Sequence, residues 1–564
     1  MSRVIMSRLT TSRFSVMILA DYIVPSDHPT MNEHIVQNWH VRKPLARSRG
    51  GVVATQNRVA GEAGARVLAA GGNAVDAAVA TGFALAAVEP WNSGLGGVGF
   101  MLVYSAKEHR VSVVDFGPIS PRGLDVAAYP LTGEGKTTRD LFTWPSVKDD
   151  RNVHGPLSIA VPGHPDGMRL ALEKFGTMKA AELLKPAIEL AERGIAMDWY
   201  LTLKAATMAK ELARYPTTRD IWLPGGFPPV TAPGAELGRL QLKGLAATLK
   251  RLASAGLRDF YEGDVAASIV KDMKAMGGVL SADDLRQFHA RIVDPLLLNY
   301  RGMQFAFASG LTAGPSIKSA FEALSAITFR RNGPHADAFV AYADVLRKVY
   351  ASRLSTMGDT ADHRDPSSTT HLNVIDRHGN MVALTQTLLS VFGSKVVLPG
   401  TGVLMNNGIM WFDPRPGTPN SLAPNKRALT NMCPIIAMDN GKPWFAIGAS
   451  GGRKIFPAVM QISSFLVDHG MYLEDAFHQP RIDASETEHV AVDPRLPEPV
   501  HKALSEKFPV RVNELVVYPT NYACPSAVLH EAESGENFGV TDVMSPWSGA
   551  VAESNMRRAS DDKR

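Results

Sequence analysis

Apolar and polar positions recur with two different periods along this chain, and the blocks they form set the order of its elements. Residues 52–56 are an apolar run of strand length, and an alanine-rich stretch with helical spacing follows from about residue 59 to a stop at Gly71-Gly72. Asn73 is placed to cap a second helix in which Val75, Val79 and Phe83 share a face while alanines fill the others. That helix should be buried nearly all round and end before Pro90. Strand-like runs at 100–105 and 111–116, with a polar turn between them, predict a hairpin. From about 165 to 350 the apolar spacing changes to three and four, with helices expected at 180–192, 240–255, 264–276 and 335–350. Pro334 suits the start of the last one, where its missing N–H leaves nothing unsatisfied.

Residues 353–368, RLSTMGDTADHRDPSS, break this periodicity and read as an exposed linker. Beyond it, 371–376 and 381–387 read as strands joined at RHGN, and 433–438 and 444–448 as strands turned through DNGK. Helices return at 456–469 and 499–507. Blocks of strands and helices on both sides of the linker predict stacked antiparallel sheets flanked by helices, an α+β arrangement. There is no internal repeat, and the Pro/Gly-rich DPRPGTPNSLAP at 413–424 is a loop.

Composition narrows the function classes. Of 564 residues, 45% are hydrophobic and 20% charged, which suits a folded chain with a large core. The 59 basic and 55 acidic side chains are scattered and leave no electrostatic footprint for nucleic acid. Cys433 and Cys524 make neither a disulfide framework nor a CxxC pair, and both are expected to be plain core thiols. Arg3, Arg8 and Arg13 precede a short apolar run at 14–20, as in a signal peptide, but Asp21 interrupts it and no small-x-small site follows. Residues 1–49 are therefore read as a leader and the cytoplasm as the expected location, with the periplasm as the alternative. No stretch approaches the ~20 apolar residues of a membrane span.

Two motifs match known chemistry by letter. Gly94 to Gly99, GLGGVG, fits the dinucleotide pattern GxGxxG, but a helix precedes it and a strand follows, the reverse of the order that brings pyrophosphate to a helix N-terminus. Its glycines fit a tight crossing of backbones instead. GASGG at 448–452 fits GxSxG with a strand before it and a helix after it, which makes Ser450 a candidate nucleophile with Asp468, His478 or His489 as partners. The same glycines equally suit an oxyanion hole, since they would present backbone N–H groups at a helix start.

The segment SSTTHLNVIDRHGNMVALTQT, from Ser367, sets two threonines where the linker becomes a core strand. By strand propensity alone such a threonine is unremarkable. The segment nevertheless resembles the processing site of the gamma-glutamyltranspeptidases. So do AAGGNAVDAAVATGFALAAVEPWNSGLGGVGFMLV at 69–103, SIAVPGHPDGM at 158–168, GVLMNNGIMWF at 402–412 and GASGGRKIFPAVMQ at 448–461, in the family's order. The resemblance covers about residues 50 to 545.

It implies an N-terminal-nucleophile hydrolase, a four-layer αββα sandwich with antiparallel sheets, made as a zymogen and cut between Ser368 and Thr369. Residues 50–368 would be the large subunit and 369–564 the small, paired as a heterodimer, with a dimer of that pair left open. Thr369 would be the nucleophile in both the self-cut and the turnover of a small amide, its freed amine serving as base. Thr387 would orient it, and Gly451 and Gly452 would form the oxyanion hole. No metal or cofactor is needed.

The expected donors are γ-glutamyl compounds such as glutathione, yet the residues that would grip them differ. The arginine expected in a DFRE-like stretch is Gly117. The glutamine and aspartate expected in NNGIMWF fall on Gly408 and Trp411, a Ser-Ser pair on Thr430 and Asn431, and a strand asparagine on Leu389. A zwitterionic head group would then need other partners, for which Arg122, Arg427 and Arg453 are candidates, Arg453 the best placed. A different amide, oxamate-like or a cephalosporin side chain, is the alternative, and a serine hydrolase built on Ser450 the rival of another class.

Overall fold

The computed structural model describes residue 39 and residues 41–136, 144–357, 367–486, 488–517 and 521–556. Within these, two seven-stranded sheets, antiparallel throughout, pack face to face. The first runs in the order Gly549–Ala552, Val52–Thr55, Ser367–Ile375, Met381–Ser390, Val98–Ser105, Arg110–Phe116, Arg291–Val293. The second runs Ala46–Ser48, Glu536–Thr541, Cys524–Glu531, Lys442–Ser450, Ile435–Asp439, Met303–Phe307, Leu296–Tyr300.

The two-residue period of a strand sorts its side chains between two cores. Val53, Leu372, Val374, Val382 and Leu384 join helices Arg58–Ala69 and Ala74–Val88 on the outer side of the first sheet. Val52, Ala54, Ile375, Met381 and Ala383 turn the other way, into a layer shared with Ile436, Met438, Ala446 and Val528 of the second sheet. Ile435 and Ala437 then face helix Ile455–Val467 beyond the second sheet. Helix, sheet, sheet, helix is the four-layer sandwich expected.

Local signals explain much of this. Asn73 caps Ala74–Val88 in a reciprocal capping box with Asp76, and every residue from Ala74 to Ala87 is buried. Asn440 (φ 50°) and Gly441 (φ 77°) make the turn in DNGK that suits a two-residue hairpin. The GxGxxG glycines lie where backbones cross: a Cβ on Gly97 would fall 2.6 Å from Thr387 O, and one on Gly99 2.4 Å from Thr385 O.

Four expectations need correction. The span 165–350 is not wholly helical, because Leu296–Tyr300 and Met303–Phe307 form a hairpin turned at Arg301 (φ 53°) and Gly302 (φ 86°). The helix at 180–192 is two helices, Ala180–Leu183 and Lys185–Arg193, the second opening on Pro186. The linker is shorter at both ends, since helix Ala336–Met357 carries buried Arg353 and strand Ser367–Ile375 begins before Thr369; residues 358–366 lie outside the described residues. The leader is shorter too: Ala46–Ser48 already pairs with Glu536–Thr541, whereas the 14–20 run lies outside the described residues.

Candidate active site

Strand Ser367–Ile375 lies inside the first sheet, between Val52–Thr55 and Met381–Ser390. Its register breaks at one place. Ser368 faces Leu389 and Thr370 faces Gln386, so Thr387 and Leu388 both stand opposite Thr369. Such a bulge re-aims the side chain at the break. Thr369, buried to 6% exposure, donates its hydroxyl hydrogen bond to Thr387 Oγ1 at 3.2 Å. Thr387 Oγ1 also accepts the N–H of Leu389 at 2.8 Å.

The same strand lies against the short turn Gly452–Lys454 that leads into helix Ile455–Val467. Gly451 has φ 133° and Gly452 φ 55°, and a Cβ on Gly451 would meet Ala523 Cα at 2.7 Å. Two successive residues thus require glycine's backbone freedom at the junction of strand and helix, beside the strand of Thr369.

His371 points to the same inter-sheet face as Thr369. Its Nε2–H donates to Asn373 Oδ1 at 3.0 Å, and Nδ1 accepts from Thr385 at 2.9 Å. Asn373 in turn donates to Ser526 O at 2.7 Å in the second sheet. Burial holds the His371 imidazole down to about 3, so it is a neutral peg between sheets rather than a proton acceptor.

Ser450 lies elsewhere in the same neighbourhood. Its hydroxyl accepts from Gln56 Nε2, which also donates to Cys524 O at 3.0 Å. The partners nominated for it are committed to other contacts: Asp468 accepts from Tyr300 (2.7 Å) and Arg301 (2.9 Å), His478 Nε2 accepts from Lys43 N (3.2 Å), and His489 lies 3.9 Å from Glu486. Among the described residues none of these three forms a relay with Ser450. Among the described residues no group of three or more His, Cys, Asp or Glu side chains is placed to hold a metal ion, and no helix is long and apolar enough to cross a membrane.

The other candidates sit as follows. Thr430 donates to Leu311 O at 3.1 Å, and Arg353 reaches both Thr430 O (2.8 Å) and Asn431 Oδ1 (3.4 Å). Trp411 is buried in the inter-sheet layer. Arg453 donates to Ser485 O at 2.6 Å and lies over the Tyr350 ring. Arg122 is exposed. Arg427 lies 3.3 Å from Asp115, two residues before Gly117, and Arg291 lies 2.7 Å from the same carboxylate.

The gamma-glutamyltranspeptidase family profile matches residues 60–366 and 360–514. The chain belongs to this family. The acylase ACY 1 proenzyme of Pseudomonas sp. (strain SE83) is 34% identical over 500 residues, covering 82% of this chain and 87% of that protein. The glutathione hydrolase proenzyme of Escherichia coli (strain K12) is 31% identical over 488 residues, covering 77% and 81%. Cephalosporin acylase from Bacillus halodurans superposes with a TM-score of 0.79 at 23% identity over 92% of this chain and 98% of that one, a likeness of fold. The break in register lies opposite the first threonine of TTH, and the positive-φ glycines are at 451–452.

Sequence reading passed over one neighbour of this site. Glu89 Oε2 accepts the Thr370 hydroxyl at 3.1 Å. Its signal was a carboxylate closing a buried, alanine-rich helix whose other acid, Asp76, is committed to the capping box.

Proposed function

We propose that the chain is an autocatalytically processed amide hydrolase and acyl transferase of the gamma-glutamyltranspeptidase type, with Thr369 as its nucleophile. In the precursor the Thr369 hydroxyl adds to the Ser368 carbonyl, the N–C bond breaks as the ester forms, and water then hydrolyses the ester. The products are a Ser368 carboxylate and a free amine on Thr369. The proenzyme names of the two relatives support such a cut.

The freed α-amine, with a reference pKa of roughly 7.7–8.0, serves as the general base for the hydroxyl of its own residue. Thr369 then takes the acyl group of a small amide, and water or an acceptor amine resolves the ester. Gly451 and Gly452 N–H groups stabilise the tetrahedral oxyanion, an effect worth about 3–4 kcal/mol per donor. Thr387 orients the hydroxyl. The two fragments remain paired, because each contributes strands to the same sheets. The observation that carries this reading is the 3.2 Å contact between Thr369 and Thr387 at the bulge.

Glutathione-type γ-glutamyl compounds are the first donors to try. A second reading, a donor amide that bears a carboxylate but no α-ammonium, is favoured at Gly117, Trp411 and Arg427. Arg427 and Arg291 share one carboxylate, Asp115, which leaves positive charge beside Gly117, while position 411 offers an indole where an ammonium would want an acid.

Two measurements test the proposal. Mass spectrometry of purified protein should find an N-terminus at Thr369, and an intact Ser368–Thr369 bond in active material would overturn the mechanism. A panel comparing a γ-glutamyl anilide with short dicarboxylic monoanilides separates the two donor readings.

A further inference from the structure

The helix-side face of the nucleophile strand carries a buried acid. Side chains alternate along Ser367–Ile375, so that Leu372 and Val374 point to the helical layer, and Thr370 with them, while Ile375 points between the sheets with His371 and Thr369. Under Thr370 sits Glu89, the residue that ends helix Ala74–Val88 and is only 5% exposed. One carboxylate oxygen accepts from Thr370 Oγ1, the other from Asn92 Nδ2. The same 89–92 turn holds the bulge from behind: Asn92 O accepts Leu388 N at 2.9 Å, and Trp91 O accepts Phe392 N at 2.8 Å. Glu89 is therefore tied to both strands that meet at Thr369, without lying on the face of its hydroxyl.

We propose that Glu89 is a positioning residue for self-cleavage: as a carboxylate it pins the Thr370 hydroxyl, fixes the strand immediately after the cut, and so seats Thr369 for attack on Ser368. A neutral acid cannot accept from both Thr370 and Asn92 in the same way, so the seat loosens when the group is protonated.

The titration has few other owners. Burial raises the Glu89 carboxyl to about 7, against the opposing pull of Thr370, Lys204 and Asn92. Lys204, on helix Trp199–Thr207, is itself buried with its ammonium over the Tyr200 ring and its own basicity lowered by burial. Cys524, on strand Cys524–Glu531, is pushed up to about 12, and His371 on the opposite face is held near 3. In the uncut chain the nitrogen of Thr369 is a peptide nitrogen and does not titrate. Lys43, which burial lowers to about 8, is hydrogen-bonded away from this strand at Ser545 and Ser548, so the Glu89 and Thr370 variants are what assign a limb near neutrality.

The inference rests on Thr369 being the self-cleaving residue, and the experiment separates the two. Full-length precursor made by cell-free translation is followed on denaturing gels from pH 5.5 to 9. The wild-type rate should rise through a midpoint near 7. Glu89→Gln should cut roughly tenfold more slowly at pH 8 with no such limb, Thr370→Val should match it, the double variant should be no slower than either, and Thr370→Ser should restore rate and limb. A Glu89→Gln chain with the wild-type rate and midpoint would overturn the inference, as would rates in the two single variants that multiply in the double. If Glu89→Gln does not fold, the Thr370→Val and Thr370→Ser pair decides alone: equal rates and equal limbs reject the role. Thr369→Ala is the separate control; cleavage of that variant at the same bond would instead remove the proposed function.

Discussion

Leu389 stands directly across the sheet from Ser368 at a φ of 85°, a backbone conformation that leucine rarely adopts. This geometry sends its N–H to Thr387 Oγ1. Strain of this kind costs on the order of 1–3 kcal/mol. Leu388 beside it is just as buried but has no positive φ. Both leucine-to-glycine changes lose the packing of a core side chain, worth about 2–5 kcal/mol. Leu389→Gly, however, relieves the strain and should cost about 1 kcal/mol or more less than Leu388→Gly. Urea unfolding of the two variants checks this; equal losses would show that position 389 stores nothing.

The Thr387 hydroxyl accepts both from Thr369 and from Leu389 N. Thr387→Val keeps the shape but leaves a buried N–H unsatisfied, a loss of about 1–3 kcal/mol in stability. It also frees the Thr369 hydroxyl to turn away. Self-cleavage should slow roughly tenfold, as one neutral hydrogen bond of ~1.4 kcal/mol in the transition state would give. Thr387→Ser should keep most of the rate. Cleavage time courses with a thermal melt of each variant separate the two effects.

At the glycine turn the neighbours predict opposite outcomes. Ser450→Ala removes, among the described residues, the bond from Gln56 and should leave cleavage and turnover within a few-fold, with a stability loss of about 1 kcal/mol. Gly451→Ala places a Cβ 2.7 Å from Ala523 Cα on a backbone at φ 133°, and should abolish turnover. Loss of activity in Ser450→Ala with retained cutting at Ser368 would favour a serine mechanism after all.

Acid should weaken the fold in a way that can be assigned. Burial lowers His164 to about 4 and His371 to about 3, from an ordinary 6.5. Both are neutral when folded, so the unfolded chain takes the proton first as pH falls. Their stabilising share is whole above about pH 6.5 and is lost as pH falls from there toward 4, at up to about 1.4 kcal/mol per pH unit for each. Glu89, raised to about 7, works in the opposite direction over the same range. A difference measurement removes that offset: His164→Gln should lose less Tm between pH 7 and 5 than the wild type does. Equal losses would mean that His164 is not held neutral.

Sequence reading went furthest where one local rule acts alone. Asn73 announced its helix, and the Asn440-Gly441 pair announced its turn. It failed where distant chain segments decide. The Arg301-Gly302 turn lacks the asparagine that marks DNGK, and the helical spacing on either side concealed the hairpin. Nothing local in RLSTM marks Arg353 as buried, because its partners are the carbonyls of Thr312 and Thr430. The bulge opposite Thr369 has no letter of its own, since register is set by pairing across the sheet and not by either strand. Thr369, Thr387 and the Gly451-Gly452 pair were nominated through resemblance; Glu89 was not, because its contact is with a threonine 281 positions away.

The place of strand Ser367–Ile375, third of seven and flanked on both sides by hydrogen-bonded partners, bears on an order in time. Val52–Thr55 comes from before the cut and Met381–Ser390 from after it, and the two grip the new terminus between them. Severing the bond releases nothing that could drift off. Conversely, two separately made pieces would have to thread their strands into each other's sheets in one encounter. The uninterrupted polypeptide would then be the assembly template, and the proposed scission would follow folding rather than precede it.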